Sequence, residues 1–138
     1  MELSKALDFA RVNTHSVLTT IRAKGRPQLS NVLHHVYDDS VIRISITADR
    51  AKYKNLVREP WAALHVTQPD FYAYAVLESD VELSTVATRT DDARVEELIE
   101  YYRVAVGEHD DWDAYRESMV SDRRVIVRLK PNRAYGML

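Results

Sequence analysis

Eleven consecutive residues, Ser45-Ile-Thr-Ala-Asp-Arg-Ala-Lys-Tyr-Lys-Asn55, place two hydroxyls at the end of an alternating apolar run and two cations, Arg50 and Lys52, at the start of a helical pattern. A strand that ends in hydroxyls and turns into a helix suits an anion. Free backbone N–H groups and the positive end of the helix dipole meet there, and cationic side chains deepen the same potential. A phosphate fits this description. The plainer reading of the same residues is a solvated helix face, where lysine and arginine are common.

A second polar stretch, Gly25-Arg-Pro-Gln-Leu-Ser-Asn-Val32, follows a glycine turn and opens a strand of small polar and apolar residues that could lie along a flat ring system. Gln28, Ser30 and Asn31 could equally bond to a neighbouring loop. There is no G-x-S-x-G elbow and no H-E-x-x-H. His34 and His35 are adjacent on a strand, so their side chains point to opposite faces and cannot chelate a metal as a pair. His34 or His35 is the candidate for a place near a substrate, because a histidine titrates near neutrality and can donate a proton. His109 reads as a loop-ordering residue and His65 as structural, while Glu96-Glu97 and Asp110-Asp111 read as solvated acids or caps.

The elements that must position these residues follow from periodicity. Leu3, Ala6, Leu7 and Ala10 predict a short amphipathic helix over residues 3–12, and two runs, 15–21 and 28–37, predict a hairpin across Gly25 and Pro27. Ile42, Ile44 and Ile46 alternate with Arg43, Ser45 and Thr47 as in a half-buried strand. Asp49 is the expected cap of a helix that ends before Pro60, and residues 61–67 follow as a strand. Residues 72–86 read as one long strand bent at Glu78-Ser79-Asp80. Thr90 or Asp91 is the expected cap of the next helix, whose stripe Val95, Leu98, Ile99, Tyr102 and Val106 reads as ordinary core. A short helix over 111–120 and a strand over 123–130 close the chain. Short strands without regular strand–helix alternation predict a mainly β, α+β barrel or sandwich, in one domain over residues 1–138.

Composition narrows the class. The chain has no cysteine, so disulfides, thiolate metal sites and cysteine nucleophiles are excluded, and a reducing compartment is consistent with this. A net charge of −2 opposes general nucleic-acid binding. No long uncharged apolar stretch is present and the amino-terminal residues alternate charge with apolar groups, so the expectation is an unexported, cytoplasmic protein without membrane contact.

In order and spacing together, Gly25–Val32, Arg50-Ala-Lys52 with Asn55-Leu56 and Pro60, Tyr74-Ala-Val76, Tyr101-Tyr-Arg103, Gly107-Glu-His-x-Asp-Trp-Asp113 with Tyr115, Asp122-Arg-Arg124 and Tyr135-Gly136 make the chain recognisable over nearly its whole length. It resembles the pyridoxamine-phosphate-oxidase-like split barrels, and more closely their flavin/deazaflavin oxidoreductase branch, which uses coenzyme F420 in actinobacteria. The resemblance implies a six-stranded split barrel with four to five short helices, forming a homodimer with paired cofactor sites at the interface. It implies that Ser45, Thr47, Arg50 and Lys52 hold the cofactor phosphate with Asn55 supporting their helix. Gln28, Leu29, Ser30 and Asn31 would line the ring, and Tyr72 and Tyr74 would pack over it from the other subunit. His35 and Tyr135 are the substrate-side candidates. Tyr72 and Ser79 depart from the larger aromatic and the glycine that related sequences carry, which bears on ring stacking and on the strand bend.

The implied activity is hydride transfer from reduced coenzyme F420 to a conjugated or quinone-like acceptor, with no protein nucleophile. The alternatives are an FMN-binding oxidoreductase, including a pyridoxine-phosphate oxidase, and a non-catalytic carrier of F420 or haem.

Overall fold

The computed structural model describes residues 1–138. The chain runs α1 (Leu3–Val12), β1 (His15–Ile21), β2 (Pro27–Leu33), β3 (His35–Val36), β4 (Ile42–Thr47), α2 (Ala51–Arg58), β5 (Trp61–Thr67), β6 (Tyr74–Leu83), α3 (Ala93–Ala105), α4 (Trp112–Ser121) and β7 (Arg124–Met137). All seven strands pair antiparallel in one sheet of order β2-β1-β5-β6-β7-β4-β3. The outermost strands, β2 and β3, are joined by His34 alone, so the sheet must curl until its two edges approach each other.

Alternation decides which side chains fill the curl. In β1, β4 and β5 every second residue is buried, and Leu18, Ile42, Ile44, Leu64, Leu77 and Leu129 are almost wholly enclosed. Each such side chain contributes ~1.5–3 kcal/mol by leaving water. Helix α1 closes one end of this core with Ala6, Leu7 and Ala10, and Leu56 of α2 also enters it. A second, smaller core lies on the opposite face of β7. Its Ile126 points away from its neighbours Val125 and Val127 and meets Val95, Leu98 and Ile99 of α3 with Tyr115 and Met119 of α4. The Tyr115 hydroxyl donates to the Leu98 carbonyl at 2.9 Å and ties the two helices together.

Four sequence expectations change. The strand count is seven, because the 28–37 run changes partner at His34: residues 27–33 pair with β1, with the His34 N–H still reaching the Thr14 carbonyl at 3.0 Å, and residues 35–36 pair with β4. The first residue outside α2 is Arg50, since the Asp49 carboxylate instead accepts the Thr47 hydroxyl. Asp92, rather than Thr90 or Asp91, caps α3 by accepting from the Val95 N–H at 3.0 Å. The last strand extends to Met137. The bend in β6 falls at Glu78/Ser79, where the pairing with β7 shifts register. The helices number four, and none is long and apolar enough to cross a membrane.

His34 is fully enclosed at the seam of the barrel. Its Nε2–H donates to the Ala10 carbonyl of α1 at 2.9 Å, and its Nδ1 accepts from the Ser16 hydroxyl at 2.6 Å. Burial pushes its pKa down to about 4. The unfolded chain therefore binds a proton that the native ring refuses, so the contribution is present above pH ~6.5 and is lost as pH falls toward 4. Between pH 7 and pH 5, above the main carboxylate range, this linkage removes about 2 kcal/mol. Urea midpoints should fall over that window in the wild type and fall less in His34→Asn. A midpoint flat between those two pH values would contradict the assignment.

Candidate functional site

A cleft of about 360 Å³ opens between edge strand β2 and helices α3 and α4, and Asn31, Ser45, Lys52, Tyr101, Tyr115 and Arg124 are among its lining residues. Ser45 faces the cleft because its strand neighbours Ile44 and Ile46 take the barrel interior. Lys52 stands in the first turn of α2, half-buried, with no carboxylate within ion-pair distance. Its pKa is lowered, first by burial and then by the nearby charges of Arg50 and Arg124. A half-buried cation beside two others, without a counter-ion, is a potential that an anion relieves.

Helix α3 closes the other wall. The Tyr101 hydroxyl donates to the Leu33 carbonyl of β2 at 3.2 Å, and the half-buried His35 ring stands edge-on to Tyr101 at 5.4 Å and 75°. Burial raises the Tyr101 pKa and lowers that of His35, so both groups are neutral at pH 7.

The residues expected to line a ring divide by strand alternation. Gln28 and Ser30 turn inward. The Gln28 amide oxygen accepts from the Thr20 hydroxyl at 3.1 Å, and Thr20 in turn accepts from the buried Asn55 amide at 3.1 Å. This chain links α2 to the two strands β1 and β2. The Ser30 hydroxyl is enclosed without a partner. Asn31 and Leu29 turn outward, Asn31 into the cleft and Leu29 onto the outer sheet face.

That outer face carries a depression of about 480 Å³ lined by Leu29, Trp61, His65, Val76 and Tyr135 among others. Tyr74 lies in the same face, its ring 5.4 Å from His65. Asn31 also borders an adjoining hollow with His65 and Phe71, so cleft and outer face meet across the edge strand. Tyr72 is 79% exposed, in a turn where Phe71 adopts φ 71°.

The structure thus brings Asn31, Ser45 and Lys52 together in the cleft and gathers Leu29, Tyr74 and Tyr135 outside it. Thr47 has its hydroxyl proton committed to Asp49, and neither it nor the exposed Arg50 lines the cleft. His35 touches the cleft only through Tyr101. Most cleft residues lay outside the residues expected from sequence, Arg124 and Tyr101 among them. Arg124 enters because β7 pairs it opposite Thr47, although the Asp122-Arg-Arg124 motif had marked the position. Tyr101 enters because α3 turns its ring toward β2, although the Tyr101-Tyr-Arg103 motif had marked the position.

The sequence profile of the pyridoxamine 5'-phosphate oxidase family matches residues 4–138. A solved F420 reductase shares 25% identity, with 93% of this chain and 94% of that one covered and a TM-score of 0.66. A conserved hypothetical protein of Mycobacterium tuberculosis shares 22% identity, covering 99% of this chain and 84% of its own, at a TM-score of 0.75. The heme storage protein HutZ from Vibrio cholerae shares 14% identity over 98% and 94% of the two chains, with a TM-score of 0.70.

Proposed function

We propose, from the premise that this chain belongs to the pyridoxamine 5'-phosphate oxidase family, that it is a coenzyme F420-dependent reductase acting on a conjugated or quinone-like small molecule. The observation that carries the reading is the cleft itself: an uncompensated Lys52 beside Ser45 at one end, continuous over Asn31 with an aromatic outer face. The resemblance to an F420 reductase supports the deazaflavin over FMN.

The residues present fit such a cofactor. Lys52 supplies charge and Ser45 a hydroxyl for a phosphate, and Asn31 offers an amide at the rim where a ring would pass from cleft to outer face. When bound, reduced coenzyme F420 supplies a hydride to an electron-poor acceptor. The chain's own part is to bind, orient and exclude water. Asn55, Thr20 and Gln28 hold α2 at a fixed distance from β2, so the anion end and the ring end keep their spacing.

The cleft, at about 360 Å³, lies near the lower end of the ~300–1,000 Å³ typical of small-molecule sites. A ring system extending onto the outer face needs a cover. A second copy of the chain is the proposed cover, since Leu29, Leu33, Tyr135 and Met137 leave that face 46–61% exposed at large apolar residues. In such a homodimer, Tyr72 and Tyr74 of one protomer would reach the ring held by the other.

The test is turnover. Reduced F420 should be oxidised when quinones or other conjugated acceptors are added to the protein, and reduced FMN should not replace it. Oxidation of reduced FMN alone would favour an FMN oxidoreductase. Tight binding of F420 without turnover across acceptors would favour a carrier.

A further inference from the structure

Two arginines on β7 have opposite fates. Arg128 is saturated by carboxylates: its Nε and Nη2 donate to Glu97 of α3, and its Nη1 donates to Glu82 of β6 at 2.9 Å. Arg124, four residues earlier on the same side of the strand, has no carboxylate partner. Its Nη1 reaches only the Ser45 carbonyl, at 3.5 Å, and its Nε is enclosed with no hydrogen-bond partner.

A guanidinium in that position is costly. One of its donors, Nε, is removed from water without being repaid by a protein acceptor, and its charge adds to the field already acting on Lys52. The strand pairing fixes it there, because Arg124 lies opposite Thr47 and its carbonyl accepts the Ala87 N–H at 3.1 Å. It lines the same cleft as Ser45 and Lys52.

We infer that Arg124 is a second anion-binding residue of the cleft, and that its planar fork takes a phosphate oxygen alongside Lys52. The inference rests on the reading of the cleft as a phosphate-bearing cofactor site. A guanidinium and an ammonium on two separate elements orient a phosphate group, where either alone would only attract it.

The readout is the preference for a phosphorylated over a phosphate-free ligand, measured with two pairs: F420 against its ribityl precursor, and FMN against riboflavin. Arg124→Gln keeps a group able to donate to the Ser45 carbonyl but removes the charge. It should lower the preference at least about tenfold while leaving affinity for the phosphate-free partner within about twofold. Arg124→Lys should recover part of the preference, and the thermal midpoint of the free Arg124→Gln protein should not fall. A preference that survives in Arg124→Gln, or an equal loss for both members of a pair, overturns the inference and assigns Arg124 a structural tether. A wild type that binds neither pair refutes the cofactor reading instead. In that case thermal stabilisation by millimolar inorganic phosphate decides: a shift lost in Arg124→Gln supports the anion role, and no shift or a retained one overturns it.

Discussion

Lys52→Ala is expected to weaken F420 binding at least about tenfold without unfolding the protein. Losing one charge-assisted hydrogen bond removes ~1.5–3 kcal/mol, and tenfold corresponds to about 1.4 kcal/mol. The prediction separates binding from folding because Lys52 has no ion pair to lose. Burial and the charges of Arg50 and Arg124 already disfavour its ammonium. Removing it therefore leaves the free protein as stable as before, or slightly more so. Part of its attraction is long-range, so added salt should narrow the gap between wild type and variant. Quenching of deazaflavin fluorescence, measured at two salt concentrations, checks both statements, and an unchanged affinity would move the phosphate away from α2.

Gly136→Ala is expected to be the most damaging small substitution in the sheet. Gly136 has φ 149°, and a Cβ there would stand 2.2 Å from the Tyr74 carbonyl oxygen and 2.9 Å from the Ala75 Cα. Both obstacles are backbone, so no rotamer change relieves them. The β6–β7 pair would have to part at Ala75–Gly136, which adjoins Val76–Tyr135 on the outer face. A loss of order ~3 kcal/mol is expected from strain and broken pairing together. Gly107 is the control. It has φ 111° but open space around its missing Cβ, so Gly107→Ala should cost only ~1 kcal/mol. Urea denaturation of the two variants side by side tests the comparison, and equal losses would contradict it.

The ease with which elements can be read from sequence depends on whether their signal is local. The isoleucine alternation of β4, the stripe of α1 and the bend at Glu78/Ser79 are all carried by residues within a few positions of one another, and all three stand where the sequence placed them. The break at His34 was not legible, because it depends on the chain changing its pairing partner from β1 to β4, which no local pattern states. The helix caps moved for a related reason. Neighbouring hydroxyls and amides compete to donate to the Asp49 and Asp92 carboxylates, and geometry alone chooses among them.

The site was legible only in part, for the same reason. Ser45 and Lys52 are seven residues apart on a strand–turn–helix, so their convergence follows from local structure. Arg124 joins them from a strand nearly eighty residues later, through a pairing register that sequence does not state. The α3 stripe shows the limit of periodicity. Val95, Leu98 and Ile99 are core as expected and Tyr102 packs against them while also lining the cleft, whereas Val106 continues the same spacing and lines the cleft. Helical spacing identifies a face, and only packing decides where that face stops meeting protein.

The most direct test of the cleft as a deazaflavin site is equilibrium titration of the wild-type protein with F420 and, separately, with FMN, followed by fluorescence. Saturable F420 binding, tighter than that of FMN and with one cofactor per protomer, is the expected result. Tight FMN binding with no measurable affinity for F420 would contradict it.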